Sequence, residues 1–259
     1  MADFIDNVIQ DVKNTISEGY YDPRFYARRV ETSLKESIVK CKRVPIIAEI
    51  KPASPTKGVL MGDLGVKDLA LSMKKGGAVG ISVLTEPKHF GGSLEILSMV
   101  REALDLPILM KDFIISPVQI EAAEKMGANA ILLIKSIFDR NLSDFSLNYM
   151  IEMAKSKSIE VLLEVHNETE FISSSQTEAE MIGINNRDLS NMNTSFEATR
   201  RILNAIGNGG RIIVSESGIK APEDIRLLRS FGAHAFLVGT SIMTAKDVEA
   251  KVREFVEAT

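Results

Sequence analysis

Short apolar runs recur along this chain, and each stops on a charged or amide side chain. IIAEIK ends at Lys51, PILMKD at Lys111, VLLEVH at Glu164 and His166, MIGINNR at Asn185 and Arg187, and RIIVSES at Glu216. Buried parallel strands are filled by Val, Ile and Leu, and ionised groups there are costly unless paired. A charge recurring at the same end of many strands predicts one polar pocket lined by all of them. In a parallel barrel that pocket lies at the carboxyl ends of the strands.

The apolar runs begin near Val44, Val79, Pro107, Ala130, Glu160, Met181, Arg211 and Ala235, which makes eight. Helical patterns such as VKDLALSMKKGG, PVQIEAAEKMG and PEDIRLLRSFG lie between them, and AKDVEAKVREFVEA closes the chain. Ser116-Pro117 is a helix-start signal, and Gly77, Gly127 and Gly232 stand just past helix ends, where positive φ is useful. Ahead of the first strand, Phe4, Ile5, Val8, Ile9, Val12 and Ile16 form an apolar stripe that Gly19 ends. A second helical stretch is expected after Pro23, through Tyr26, Val30, Leu34 and Ile38. Alternating strands and helices imply a mainly parallel sheet with helices outside. Eight units favour an α/β fold of the closed (β/α)8 TIM barrel type: one domain, residues 1–259, with an N-terminal helical extension (1–43) capping one end of a barrel (44–259). An open doubly wound sheet is the alternative, but no GxGxxG or GxxxxGK[ST] loop follows any strand.

Composition narrows the function classes. A net charge of -4 gives no general attraction to nucleic acid. The single cysteine, Cys41, excludes an intrachain disulfide. The opening MADFIDNVIQDVK carries acids where a signal peptide needs bases, and no apolar stretch approaches a membrane span, so a cytoplasmic protein is expected. The three histidines are far apart and no HExxH pattern occurs, so no metal site is expected.

Glu49 and Lys51 alternate onto the same face of the first strand and should point into the barrel mouth, unless they simply pair and fill it. The loop after them is rich in Pro, Ser and Gly, and Ser54 and Lys57 could reach a ligand from it. Lys111 has no packing reason to end a barrel strand, and acids around it would hold its proton while desolvation loosens it. Glu164 could exchange a proton, and Asp112 is expected to orient rather than react. His166 at the rim is more readily an idle surface histidine than a catalytic one. Asn185 and Arg187 suit hydroxyls and a carboxylate. Ser217 and Gly218 after the seventh strand, with Gly239 and Thr240 after the eighth, occupy the usual phosphate site of such barrels. Lys51 and Lys111 could instead form Schiff bases, which keeps an aldolase open.

The motifs IIAEIKPASPTKGV, ISVLTEPKHFGGSLEIL, PILMKDFIISPVQIEAAEKMGANAILLI, LLEVHNETE, IGINNRDL and VSESGIKAPEDIRLLRSFGAHAFLVGTSIM resemble the indole-3-glycerol phosphate synthase family, in order, from about Val44 to Met243. The resemblance implies a (β/α)8 barrel acting in tryptophan biosynthesis. The reaction would close 1-(2-carboxyphenylamino)-1-deoxyribulose 5-phosphate to indole-3-glycerol phosphate, releasing carbon dioxide and water. It implies a phosphorylated small-molecule substrate, no cofactor and no metal; no nucleic-acid or membrane partner is expected, and a monomer or weak dimer is. It gives Lys111 the role of general acid on the ketose carbonyl and Glu164 that of second acid/base. Lys51 would lie near the substrate carboxylate and reacting oxygen. Glu49 and Glu216 would hold lysines and hydroxyls in place, with Asn185 and Ser217 as further polar groups. Arg187 and Ser54 would flank the anthranilate carboxylate and phosphate end. Gly218, Gly239 and Thr240 would cradle the phosphate, and Phe90, Phe113 and Leu189 would wall the aniline ring.

The chain departs from that family at Pro52, where a basic residue is common, in the SNMNTS stretch after the sixth strand, and in having no Trp. Three rival readings stand beside it. Phosphoribosylanthranilate isomerase would, by resemblance, want Cys and Asp where Lys51 and Asn185 stand. The others are a Schiff-base aldolase and a degenerate barrel that only binds a sugar phosphate.

Overall fold

A computed structural model describes residues 4–54, 58–59, 65–188 and 193–259. The eight expected runs form eight strands: β1 Ile46–Ile50, β2 Gly80–Leu84, β3 Ile108–Lys111, β4 Ala130–Ile134, β5 Glu160–Val165, β6 Met181–Asn185, β7 Ile212–Glu216 and β8 Ala235–Val238. They pair in parallel in sequence order, and β1 closes the ring by pairing with both β2 and β8. This is a (β/α)8 barrel. A two-residue ribbon, Ala53–Ser54 with Gly58–Val59, follows β1. Gly77, Gly127 and Gly232 take positive φ after their helices, as their positions require.

Strand residues alternate between two cores. Ile46, Ala48 and Ile50 face outward and join the helices in one apolar cluster. Ile47, Leu109, Leu132, Leu162, Met181 and Ala235 belong to the other, inside the barrel. Burial of both strand faces explains why these runs read as continuous Val, Ile and Leu rather than as alternation.

The N-terminal extension differs from expectation in two ways. Helix α1, Phe4–Ser17, lies at the carboxyl end of the barrel: Asp11 meets His89 at 2.9 Å, and Tyr20 and Tyr21 donate to Thr85 and Asp112 just beyond β2 and β3. Helix α2, Leu34–Lys40, lies at the opposite end, where the Ser33 hydroxyl and the Leu34 N–H bond to Glu160 at the start of β5. The extension thus covers both ends rather than one. Residues 24–33 are also not helical. Their polar groups bond largely to the barrel's lower rim instead of along a helix: the Ala27 N–H reaches the Lys125 carbonyl, and Arg28 donates to the Arg101 and Leu104 carbonyls. The apparent stripe there was illusory, since Tyr26 is 74% exposed. No helix among the described residues is long and apolar enough to cross a membrane.

Candidate active site

Most of the expected strand ends deliver their side chains to one cavity of about 480 Å³, and His166 and Glu216 do not line it. Glu49 and Lys51 come from β1, Lys111 from β3, Glu164 from β5, Asn185 and Arg187 from β6 and the residues after it. Ser217 and Gly218 follow β7, and Gly239 and Thr240 follow β8. Phe90 and Phe113 form part of the wall, their ring centroids 6.0 Å apart. Glu216 does not line the cavity but lies fully buried beneath it, with Oε2 2.6 Å from the Lys111 ammonium. Leu189 and Lys57 lie outside the described residues, and Ser54 is described only as part of the ribbon.

The charges are organised around Lys111. Its Nζ stands 2.6 Å from Glu216, 3.8 Å from Glu49 and 3.9 Å from Glu164. Burial alone would lower the lysine's pKa, but these three carboxylates outweigh it and raise it, so the proton is held. The looser proton expected of Lys111 is therefore found on Lys51. Burial, with Lys111 and Arg187 nearby, pulls Lys51 down against the pull of Glu49 at 3.7 Å. Its ammonium also stands 5.3 Å from the Phe90 ring centroid. Desolvation pushes Glu216 up to about 7 despite Lys111, because Glu164 and Glu49 crowd it with like charge. Glu164 goes the other way: His166 and Lys111 offset its burial and hold it below the usual carboxylate range. A Schiff-base lysine has to shed its proton to attack a carbonyl. Lys111, triply faced by carboxylates, is built against that.

The loops are positioned by buried polar groups. Asp112 accepts from the Tyr21 hydroxyl, the Thr85 hydroxyl and the Phe113 N–H, which is the orienting role expected of it. Burial outweighs those donors and pushes its carboxyl up to about 7. Glu86 accepts from the N–H groups of Lys88, His89 and Phe90, fixing the short helix Pro87–Phe90 that carries the ring. Of the two adjacent amides at the end of β6 and just after it, Asn185 faces the cavity. Asn186 turns away and donates to Ser215 and to the Glu216 and Ser217 carbonyls. That bond set holds a turn in which Ser217 and Gly218 both take positive φ, +67° and +86°. For a serine this is a strained conformation.

Sequence reasoning missed several contributors. Leu132, Ile134 and Leu237 form apolar wall, and Phe4 reaches the cavity from α1. Being apolar, they carry no signal that separates them from core. Gly183 was missed too: a Cβ there would sit 2.2 Å from Glu216 Oε1. Gly239, expected only as phosphate cradle, has a second reason to be glycine, since its Cβ would sit 2.4 Å from Glu49 Oε1.

Comparison with known proteins places the whole chain in a family. The family model for indole-3-glycerol phosphate synthase matches residues 7–255. The indole-3-glycerol phosphate synthase of Methanocaldococcus jannaschii is 39% identical over 254 residues, covering 96% of this chain and 91% of that one. That of Methanopyrus kandleri is 37% identical and covers 98% of both chains, and that of a Roseiflexus species is 42% identical over 82% of this chain and 80% of that one. Among solved structures, thiamine phosphate pyrophosphorylase from Pyrococcus furiosus superposes with a TM-score of 0.62 at 16% identity, covering 85% of this chain and 96% of that one. At such low identity that likeness speaks to the barrel alone. With a family match over nearly its whole length and relatives near 40% identity under the same description, this chain belongs to the indole-3-glycerol phosphate synthase family.

Proposed function

We infer that the chain is an indole-3-glycerol phosphate synthase, a carboxy-lyase of tryptophan biosynthesis. It closes the ring of 1-(2-carboxyphenylamino)-1-deoxyribulose 5-phosphate with loss of carbon dioxide and water. One observation carries the assignment of residues: an ammonium, Lys111, faces three carboxylates within 3.9 Å at the floor of a cavity with apolar walls.

In this reading the phosphate occupies the turn Ser217–Gly218 and the start of the helix Thr240–Met243, and the aniline ring lies against Phe90, Phe113 and Leu132. Lys51 and Arg187 face the carboxylate, whose negative charge offsets the desolvation that loosens both cations' protons. Ring closure places negative charge on the ketose oxygen, and Lys111 protonates it there. The carbonyl carbon becomes electrophilic toward the ring carbon that bears the carboxylate, and carbon dioxide then leaves. Because Lys111 holds its proton tightly, transfer waits for an oxygen basic enough to compete with Glu216, which favours the transition state over the bound ketone. On dehydration Glu164, kept ionised, takes up the carbon-bound proton while the Lys51 ammonium protonates the departing hydroxyl, which leaves as water. Glu49 holds both lysines, Glu216 holds Lys111, and Asn185 stands beside Glu164. Ser54 and Leu189 complete the phosphate end and the ring wall in this proposal. We place the enzyme in the cytoplasm as a monomer or weak dimer.

Mixing the purified protein with the carboxyphenylamino-deoxyribulose phosphate and following indole fluorescence tests the function directly; tight binding without indole formation would favour a non-catalytic barrel. Lys111→Ala should lower kcat by ~10²–10⁴-fold and leave substrate affinity within about tenfold. Near-normal turnover in that variant removes Lys111 from the acid role.

A further inference from the structure

We propose that His166 is a positioning residue for the ring closure: its imidazolium, clamped between Glu164 and Glu170, keeps the Glu164 carboxylate ionised and aimed into the cavity. The inference rests on Glu164 as the second acid/base. Glu164 is buried, and a buried carboxylate needs a cation. Lys111 is poorly placed to be that cation, because it lies 2.6 Å from Glu216 and 3.9 Å from Glu164 Oε2. The other oxygen, Oε1, has His166 Nε2 at 3.3 Å. That nitrogen is buried and makes no aligned hydrogen bond to any described residue, so its partner is the charge of Glu164.

On its far side the ring is held by the start of the helix Glu168–Ser175. His166 Nδ1 stands 3.4 Å from Glu170 Oε2, and the same oxygen accepts from the His166 backbone N–H at 2.8 Å. Asn167 locks this carboxylate in turn: its amide donates to Glu170 Oε1, and its side-chain oxygen accepts from the Glu170 N–H. Charges on the neighbouring helices are engaged elsewhere, Lys135 with Asp139 and Arg201 with Glu168. Consistent with the geometry, the two carboxylates overcome burial and push the His166 ring up to about 10, while Glu164 and Glu170 are both held below the ordinary range.

The sign of the pH effect follows. With the imidazolium present, Glu164 stays ionised well into acid. Without it, Glu164 takes a proton at higher pH, and the acid limb of kcat moves up. His166→Gln keeps side-chain bulk without the charge and should shift that limb upward by about one pH unit or more. At pH 8.5 it should keep kcat within about tenfold, because Glu164 is ionised again. Glu170→Gln should move the limb the same way by less. The ring is read independently by NMR titration of the wild-type enzyme, with the His166 signal assigned by its loss in His166→Gln. It should stay protonated past pH 8 and titrate at least about one unit lower in Glu164→Gln. A ring titrating near an ordinary histidine, or superimposable pH profiles for wild type and His166→Gln, overturns the proposal. Full turnover by Glu164→Gln sinks instead the role of Glu164 on which it rests, whatever the ring titration reads.

Discussion

At the scale of single residues, two glycines do for the site what no side chain can. Gly183 and Gly239 leave the volume into which the Glu216 and Glu49 carboxylates project from neighbouring strands. Gly183→Ala should therefore keep the barrel folded, as judged by its thermal unfolding, yet lower kcat by ~10²-fold, because a displaced Glu216 no longer holds Lys111 in place. An unchanged kcat would show that Glu216 has slack. Charged strand ends were legible in the sequence because an ionised group in a buried strand has no packing excuse. The matching glycines were not, since a missing Cβ acquires meaning only from the carboxylate on the next strand. Leu132 and Leu237 were hidden for the opposite reason: a ligand wall and a core are made of the same residues.

At the scale of elements, the alternation of strands and helices placed the start of every barrel strand to within two residues, because period and punctuation agreed. The failure came at residues 24–33, where apolar spacing promised a turn of helix and the Ala27 N–H and the Arg28 guanidinium instead donate to carbonyls at the ends of other helices. Spacing alone carries no information about a distant carbonyl. Helix α2 begins only at Ser33, whose hydroxyl accepts from the Glu36 N–H and donates to Glu160. Ser33→Ala removes the cap and leaves the half-buried Glu160 short of a donor. Urea unfolding should report a loss of ~1–3 kcal/mol, while kcat stays as it was, since this end of the barrel is remote from the cavity.

At the scale of the whole molecule, the extension separates stability from catalysis. Leu34 is completely buried at the amino end of the barrel, and Leu34→Ala should cost ~2–5 kcal/mol in unfolding with kcat unchanged. Phe4 reaches the cavity from α1, so Phe4→Ala should raise KM several-fold with little loss of unfolding free energy. A result reversed between the two variants would mean the ends of the barrel are misassigned.

The same strap has a consequence for how the chain is made. Tyr21 bonds to Asp112, 91 residues further on, and Ser33 to Glu160, 127 residues further on. These residues leave the ribosome well before the strands on which they dock, so the apolar stripe of α1 stays uncovered while the intervening chain is still being synthesised. Pulse-labelled hydrogen exchange during refolding should find the amides of α1 protected after those of the central strands, and a chaperone that shelters nascent chains would have its natural client here.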